Sequence, residues 1–423
     1  MNYLQMSPAE LKSEYEKVSA DYSEIVKKGL KLDMSRGKPC KAQLDLTNEM
    51  LNTLSASDSL CAENGFDCRN YGILDGIPEA KKLFAPVLGV SEDEIVIFGN
   101  SSLNIMYDTI IKAMQFGIMG NTPWCKLDKV KFLCPVPGYD RHFAVCQAMG
   151  IEMINVPMKN DGPDMDIVEK LVAQDDSIKG IWCVPKYSNP DGITYSDTVV
   201  KRMANLSPKA KDFRIFWDNA YAIHDFSDPD TLMNIFDELK KNGKQDMIFM
   251  FGSTSKVTFP GAGVAFMGAS QANLEWLKKL LFFQTIGHDK INQLRHVRFF
   301  KTYNNIIIHM KKHAEILMPK FDIVCNTLES KLKVYGLGNW KRPNGGYFVS
   351  LFLPGGCAKR TAELCKQAGV VLTGAGATYP YGIDPDDSNL RISPSFPPND
   401  ELQQAMNVLC LCARLAYLEQ KTK

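Results

Sequence analysis

The stretch FMFGSTSKVTFPGAGVAF, residues 249–266, decides the fold of this chain and raises its main chemical question. An apolar run of strand character leads into two serines and Lys256, and a Pro-Gly pair follows. Three interpretations of Lys256 are open at this point: an exposed charge, the lysine of an S-x-x-K acyl-transfer motif, or an amine that forms a Schiff base. The rest of the chain has to decide between them.

Apolar runs like the one before Lys256 recur between about residues 95 and 255. They are EIVIF (94–98), VKFLCP (130–135), IEMINVP (151–157), KGIWCVP (179–185), FRIFWD (213–218) and MIFMF (247–251). Nearly continuous apolar runs are typical of strands that are covered on both faces. Helix-length stretches separate them, so the sequence predicts an α/β fold whose large domain has a mostly parallel sheet flanked by helices.

The pattern changes after about residue 300. A long helical stretch leads to short apolar segments and to a last helix that begins near residue 399, which predicts a smaller α+β domain. We therefore divide the chain into three parts. They are an N-terminal segment that packs with the small domain (1–48), a large ligand-binding domain (49–305) and a small C-terminal α+β domain (306–423).

Composition limits the classes of function. The chain has 423 residues, 45% of them apolar and 23% charged, and a net charge of +1, so no basic excess indicates nucleic-acid binding. The N-terminus lacks the apolar core of a signal peptide, and no apolar stretch is long enough to span a membrane. The twelve cysteines form no C-x-x-C pair and no zinc-ligand spacing. We expect reduced thiols, no metal site and a cytoplasmic protein.

Chemically unusual loops follow the predicted strands. They read GNSS, PVPGYD, PKYSNPDG, DNAY and GSTSK. In an open α/β sheet, ligands bind at the edge where the parallel strands end. We therefore expect these five loops to form a single site.

Each loop residue has a structural alternative to its functional interpretation. Asp218 could pair with a buried cation such as a protonated pyridine nitrogen, or cap a following helix. Tyr221 could hydrogen-bond a ligand oxygen or fill the core. Asn189 lies in Asn-Pro-Asp-Gly, which is first of all a turn, although its amide could also bind a ligand.

The remaining signals are similarly ambiguous one at a time. The Gly-Asn-Ser-Ser sequence at residues 99–102 could bind a phosphate at a helix N-terminus or supply an ordinary N-cap. Tyr139 could stack on a planar ring or lie in the core. Arg391, between apolar neighbours, needs a carboxylate partner from a substrate or from the protein. Together these groups match the requirements of pyridoxal 5'-phosphate (PLP).

The chain resembles the fold type I PLP-dependent aminotransferases of the class I/II group over nearly its whole length. The motifs follow that family's order: Y-x-x-x-x-G (71–76), G-N-S-S, P-G-Y, N-P-x-G, D-N-A-Y, S-x-S-K and a late R-I. The segments SRGKP, NYGILDG, PGYDRHF and DKINQLRH are most similar to the aspartate aminotransferase subgroup, which is related to MocR-type proteins.

The resemblance implies a role for each cofactor-facing residue. Lys256 forms the Schiff base and shuttles the substrate proton, and Asp218 pairs with the pyridinium nitrogen. Asn189 and Tyr221 donate to the ring oxygen, and Tyr139 stacks on the ring. The residues implied to hold the phosphate are Asn100, Ser101, Ser102, Ser253 and Ser255.

The resemblance also implies a substrate site and an assembly. Arg391 binds the substrate α-carboxylate, with Gly37 of SRGKP closing over the substrate and Asn189 beside it. Tyr71 comes from the neighbouring subunit of a homodimer with shared active sites. The implied reaction is ping-pong transfer of an amino group from an amino acid, L-aspartate, to a 2-oxo acid, 2-oxoglutarate.

Other functions fit the sequence less well. S-x-x-K acyl transferases also need S-D-N and K-T-G motifs, which the chain lacks. A MocR-like regulator needs an N-terminal DNA-binding module, but SRGKP already begins at residue 35. Another PLP enzyme, such as a β-lyase or a decarboxylase, would share the same residues and stays an alternative.

Two features of the resemblance are incomplete. Gly263 stands where the family commonly has an arginine that neutralises the phosphate. A dicarboxylic substrate also requires a second cation for its distal carboxylate. The candidates for that cation are Arg36, Lys38, Arg141 and Arg295.

Overall fold

Helices and strands alternate along most of the chain, as the apolar runs predict. The structure is a computed structural model and describes residues 2–422. Its α-helices are α1 (Pro8–Lys27), α2 (Lys41–Asp45), α3 (Pro78–Leu88), α4 (Ser102–Phe116), α5 (Asp140–Ala148), α6 (Met165–Gln174), α7 (Asp197–Ala204), α8 (Ile235–Lys241), α9 (Gln271–Leu281), α10 (Lys290–Phe300), α11 (Tyr303–Lys331), α12 (Ala358–Gln367) and α13 (Asn399–Thr422). Its strands are β1 (Leu32–Asp33), β2 (Ile95–Ile97), β3 (Lys131–Val136), β4 (Glu152–Lys159), β5 (Gly162–Pro163), β6 (Ile178–Cys183), β7 (Arg214–Asp218), β8 (Ile248–Ser253), β9 (Ala265–Gly268), β10 (Val349–Phe352), β11 (Val370–Val371) and β12 (Asn389–Ile392).

The central sheet has eight strands in the order β2-β9-β8-β7-β6-β3-β4-β5. The strands from β8 to β4 in this order pair in parallel, whereas β2–β9, β9–β8 and β4–β5 are antiparallel. Because β9 runs against both β8 and β2, β2 ends at the same edge as the parallel strands. The predicted α/β fold with a mostly parallel sheet is confirmed.

The strands at the middle of the sheet are buried on both faces. Every residue of β6 and β7 is buried. Ile215 and Trp217 pack into one hydrophobic cluster, and Phe216, between them in the sequence, packs into another on the opposite face. This double covering explains why the apolar runs are continuous rather than alternating.

The N-terminal and C-terminal parts of the chain share a third hydrophobic cluster. Leu11 and Val18 of α1 lie in it with Val324 of α11 and Leu409 of α13. Two small sheets accompany these helices: β10 pairs antiparallel with β12, and β1 pairs in parallel with β11. The proposed division at residues 48 and 305 stays a prediction.

The structure also bears on disulfides, membrane-spanning helices and metal sites. All twelve cysteines are free, and ten of them are buried. Within residues 2–422, no helix has the length and apolar character needed to cross a bilayer. The same part of the chain contains no group of three or more His, Cys, Asp or Glu side chains placed to hold a metal ion.

Candidate active site

A cleft of about 530 Å³ opens where the central strands end. Most of the predicted site residues line it, although they come from distant parts of the chain. They are Gly37, Ser101, Ser102, Tyr139, Asn189, Asp218, Tyr221, Ser253, Ser255, Lys256 and Arg391. Asn100 lies beside the cleft without lining it, and Tyr71 lies outside it.

Asp218 is the last residue of β7, and its side chain contacts a buried histidine. Its side chain is buried, and its Oδ2 lies 3.0 Å from His142 Nε2. The His142 ring stacks on Trp182, with ring centroids 4.3 Å apart. Asp218 Oδ1 is buried without a hydrogen-bond partner. The next α-helix begins only at Ile235, so the interpretation of Asp218 as a helix N-cap is wrong.

Lys256 lies a few residues beyond the end of β8, close to the ring of Tyr221. Its Nζ is 5.1 Å from the Tyr221 ring centroid and 5.6 Å from that of Tyr347. Burial lowers the pKa of Lys256, the negative charge of Asp218 acts in the opposite direction, and Arg391 adds to the lowering. A lysine with a lowered pKa is more often a free amine, the form that attacks carbonyl carbons and accepts protons.

The other polar residues predicted for the site also line the cleft. Burial raises the pKa of Tyr139 to about 12, so its phenol is neutral near pH 7. Tyr139 lines the cleft and touches the edge of His142. Tyr221 is buried and stacks on Tyr347. Asn189 Oδ1 accepts a hydrogen bond from Arg391 Nη1 at 3.3 Å.

Serine hydroxyls gather at one end of the cleft. Ser253 and Ser255 share a hydrogen bond of 3.0 Å, and Ser255 Oγ also donates to the carbonyl oxygen of Asn100 at 3.4 Å. Ser101 is the N-cap of α4, but its side chain makes no capping hydrogen bond. The N–H groups at the start of α4 and these hydroxyls are neutral donors of the kind that can bind an anion.

The surroundings of Gly263 leave little space for any side chain. A Cβ atom at this position would lie 2.8 Å from Thr254 Oγ1 and 3.1 Å from the carbonyl oxygen of Phe259. Thr254 Oγ1 cannot easily move, because it accepts a hydrogen bond from Val264 N. Any side chain at position 263 would therefore require local rearrangement.

Arg391 on β12 reaches the cleft from the side of the small sheet. Its Nη1 lies 2.8 Å from Asp140 Oδ1, and its Nη2 donates to Thr373 Oγ1 at 3.4 Å. The guanidinium also lies 5.0 Å from the ring centroid of Phe348. Gly37 passes over the same ring, since a Cβ there would lie 2.4 Å from Phe348 Cζ.

The candidates for a second substrate-binding cation divide into two groups. Arg36 and Arg141 line the cleft. Lys38 lies instead over the Phe396 ring, 3.7 Å from its centroid, and Arg295 hydrogen-bonds Asn292. The structure therefore places Arg36 and Arg141, and not Lys38 or Arg295, in the cleft wall.

Tyr71 is 78% exposed and belongs to an apolar surface rather than to the cleft of its own chain. The other members of this apolar surface are also large and exposed: Phe282, Phe283 and Ile286. Gly287 follows them directly, and a Cβ there would lie 2.5 Å from the carbonyl oxygen of Gly72. This backbone contact brings the loop after α9 next to Tyr71.

Sequence reasoning missed several residues that shape the site. His142 contacts Asp218, and Asp140 contacts Arg391. The sequence indicated these two residues only through the segment PGYDRHF, in which both lie. The spacing gave a usable signal for His142, because it lies three residues after Tyr139 and so on the same face of one helical turn. Nothing in the sequence indicated Phe348 or Thr373.

Several known proteins are similar to this chain over nearly its whole length. The aspartate aminotransferase family model matches residues 6–423. An aspartate aminotransferase of Corynebacterium glutamicum is 44% identical over 96% of this chain and 94% of its own length. The crystal structure of an aspartate transaminase from the same organism superimposes with a TM-score of 0.97, at 42% identity, covering 100% of this chain and 99% of that one.

A more distant structure shows how far the fold extends. The α-aminoadipate aminotransferase LysN of Thermus thermophilus, crystallised with N-(5'-phosphopyridoxyl)-L-leucine, matches with a TM-score of 0.75 at 18% identity. It covers 99% of this chain and 96% of its own, which supports the fold alone. The family match and the close relatives carry the identification: this chain belongs to the aspartate aminotransferase family, and it is a fold type I PLP-dependent aminotransferase.

Proposed function

We propose that this enzyme binds PLP in the cleft and moves an amino group between L-aspartate and 2-oxoglutarate. The observation that carries the proposal is the placement of Asp218 beside Lys256. Asp218 Oδ1 is a buried acceptor without a partner, and a protonated ring nitrogen would satisfy it. Aspartate as the substrate is supported by the Corynebacterium glutamicum relative that carries this name.

The residues present fit PLP along its whole length. Asp218 suits the ring nitrogen, and Tyr139 offers an aromatic face. Asn189 and Tyr221 would donate to the ring oxygen. At the other end, the neutral hydroxyls and the start of α4 would hold the phosphate, with the hydroxyls coming from Ser101, Ser102, Ser253 and Ser255 and with Asn100 supporting Ser255.

The protein residues divide the work of the reaction between them. PLP supplies an electrophilic carbon and an electron-withdrawing ring when bound. Lys256 Nζ, with its lowered pKa, would be the amine that holds the cofactor and, once the substrate amine has replaced it there, the base that accepts the proton from the substrate α-carbon. Asp218 would keep a proton on the ring nitrogen, and His142, 3.0 Å from Asp218 Oδ2, would keep Asp218 in place.

Three arginines would recognise the substrate. Arg391 is suited to the α-carboxylate, because its planar guanidinium can bind both carboxylate oxygens. Arg36 and Arg141 line the same cleft and would bind the distal carboxylate of aspartate. Gly37 would let the 35–39 loop approach the substrate closely over Phe348.

A second copy of the chain would complete the site. Tyr71, Phe282, Phe283 and Ile286 form an exposed apolar surface, which is unfavourable unless another surface covers it. A homodimer would bury this surface and bring Tyr71 to the phosphate end of the partner's cleft. Sedimentation velocity of the wild type and of Phe283→Glu tests this assembly, and a monomeric wild type would contradict it.

The proposed reaction is tested by an amino-donor screen with 2-oxoglutarate, in which the absorbance of bound PLP and the products are both followed. We expect aspartate to be the best donor and oxaloacetate to be its product. Alanine and CO₂ from aspartate would indicate a decarboxylase, and pyruvate with ammonia from a β-substituted amino acid would indicate a β-lyase. Arg141→Ala should lower kcat/KM for aspartate by roughly fivefold, as loss of an exposed ion pair predicts, while activity with alanine should change little.

A further inference from the structure

The strongest unassigned feature of the cleft is an ion pair that crosses it. Asp140 lies in the first turn of α5, next to the central sheet. Arg391 lies on β12, in the small sheet formed by β10 and β12. Asp140 Oδ1 and Arg391 Nη1 are 2.8 Å apart. The side chain of Asp140 is 33% exposed, whereas that of Arg391 is only 7% exposed. The two partners therefore differ strongly in their access to water.

The contacts of Arg391 determine where a second carboxylate can bind. Its Nη1 is shared between Asp140 and Asn189, and its Nη2 makes only a long contact of 3.4 Å with Thr373. The third nitrogen, Nε, is buried without a partner. Because Nε is buried, a carboxylate that binds with both oxygens would approach the edge formed by Nη1 and Nη2, and Asp140 already occupies half of that edge.

We infer that Asp140 is an exchangeable counter-ion of Arg391, which the substrate carboxylate displaces. A buried guanidinium without a counter-charge is costly, so Asp140 stabilises the ligand-free cleft. Because Asp140 is the more exposed partner, it can turn to water when a substrate arrives, while Arg391 stays in place. Asp140 thus lowers the affinity for carboxylates. This inference rests on the proposed role of Arg391 in binding the substrate.

A fixed orienting role for Asp140 would have the opposite consequence. If Asp140 had to stay in place for Arg391 to point into the cleft, its removal would weaken carboxylate binding. Other contacts already orient the guanidinium, however: the Asn189 amide oxygen, the Thr373 hydroxyl and the Phe348 ring. Loss of competition should therefore outweigh loss of orientation.

The test is calorimetric binding of succinate and of 2-oxoglutarate to the PLP-loaded enzyme and to its Asp140→Asn variant. We expect the variant to bind both ligands roughly tenfold more tightly, as release of one charged hydrogen bond predicts. We also expect a lower Tm without ligand and a larger rise in Tm on adding succinate. Asp140→Ser provides a second variant with a shorter side chain and should behave in the same way.

Outcomes against the inference are distinct from those against the proposed function. A wild type that binds neither carboxylate would overturn the proposed function. A wild type that binds them, with variants that bind equally or more weakly, would overturn the inference alone, as would an unchanged or higher Tm of the ligand-free variants. The double variant Asp140→Asn, Arg391→Gln should bind no more tightly than Arg391→Gln, since tighter binding would mean that Asp140 acts through the general charge of the cleft.

Discussion

Two buried aspartates at the same edge of the sheet have opposite surroundings. Asp218 is 3% exposed and Asp191 is 8% exposed, and each has an Oδ1 atom without a hydrogen-bond partner. Asp218 has His142 at 3.0 Å, and its charge acts on Lys256 against the lowering of the lysine pKa by burial. Asp191 lines a different cavity, and burial raises its pKa to about 7, with only the Ser350 hydroxyl acting against this change.

Burial alone therefore does not make a carboxylate functional. A buried carboxylate without a nearby cation takes up a proton, as the raised pKa of Asp191 indicates. A carboxylate beside a lysine and a histidine can instead serve as a charged partner for a ligand. Asp218 therefore belongs to the site and Asp191 to its support, although Asp191 lies only two residues after Asn189.

Removal of the lysine beside Asp218 should have the largest effect. Lys256→Ala is expected to lower turnover at least about 10⁴-fold, because it removes both the attacking amine and the proton acceptor. The absorbance band of lysine-bound PLP should disappear with it. Lys112→Met is a matched control, since Lys112 is also buried with a lowered pKa but does not line the cleft. Substantial activity in Lys256→Ala would refute the assignment.

Neutralising Asp218 should have the next largest effect. Asp218→Asn keeps the shape and removes the charge, and we expect kcat to fall roughly 10² to 10³-fold, as loss of one preorganised electrostatic partner predicts. Steady-state kinetics with aspartate measure this loss. Asp191→Asn is the direct comparison and should change kcat little. Equal losses in the two variants would show that burial, and not the charged neighbours, distinguishes these positions.

His142 should matter less, because it acts on the ligand only through Asp218. His142→Asn is expected to lower kcat roughly tenfold, the range for one hydrogen bond to a charged group. A positioning role also predicts that the pH midpoint of the PLP absorbance moves in this variant. His142→Asn in the Asp218→Asn background should add almost nothing. A full additional loss there would indicate that His142 supports the fold instead.

Many cleft residues could be predicted from the sequence because they end or directly follow strands of the central sheet. Once the alternation of strands and helices fixes which edge is which, the loop residues after β3, β7 and β8 must meet there. Tyr139, Asp218 and Ser253 are positioned by that rule and line the cleft. Their combination in one order along the chain then specified the family.

Contacts between distant segments could not be predicted in the same way. Asp140 and Arg391 are 251 residues apart, and no periodic pattern connects them. β1 pairs with β11 through only two residues of each strand, too few to leave a pattern in the sequence. The absence of an arginine at position 263 was visible, but its steric reason, Thr254 Oγ1 beside the backbone, appears only in three dimensions.

Substitution of Asp191 should have the smallest effect on turnover. Its main effect should be on how the stability of the protein depends on pH. Its pKa is about 7 in the folded state against 3.8 for the exposed group, so folding favours its protonated form. The wild type should therefore lose stability as the pH rises from about 4 to about 7, because over this range the carboxyl is ionised in the unfolded chain but still protonated in the folded one, by a term on the order of 4 kcal/mol. Asp191→Asn cannot ionise and should escape this loss. Urea unfolding at pH 5 and pH 8 should show a larger stability difference between variant and wild type at pH 8, and a difference independent of pH would mean that Asp191 is already ionised at pH 5 in the folded protein, so that burial does not raise its pKa.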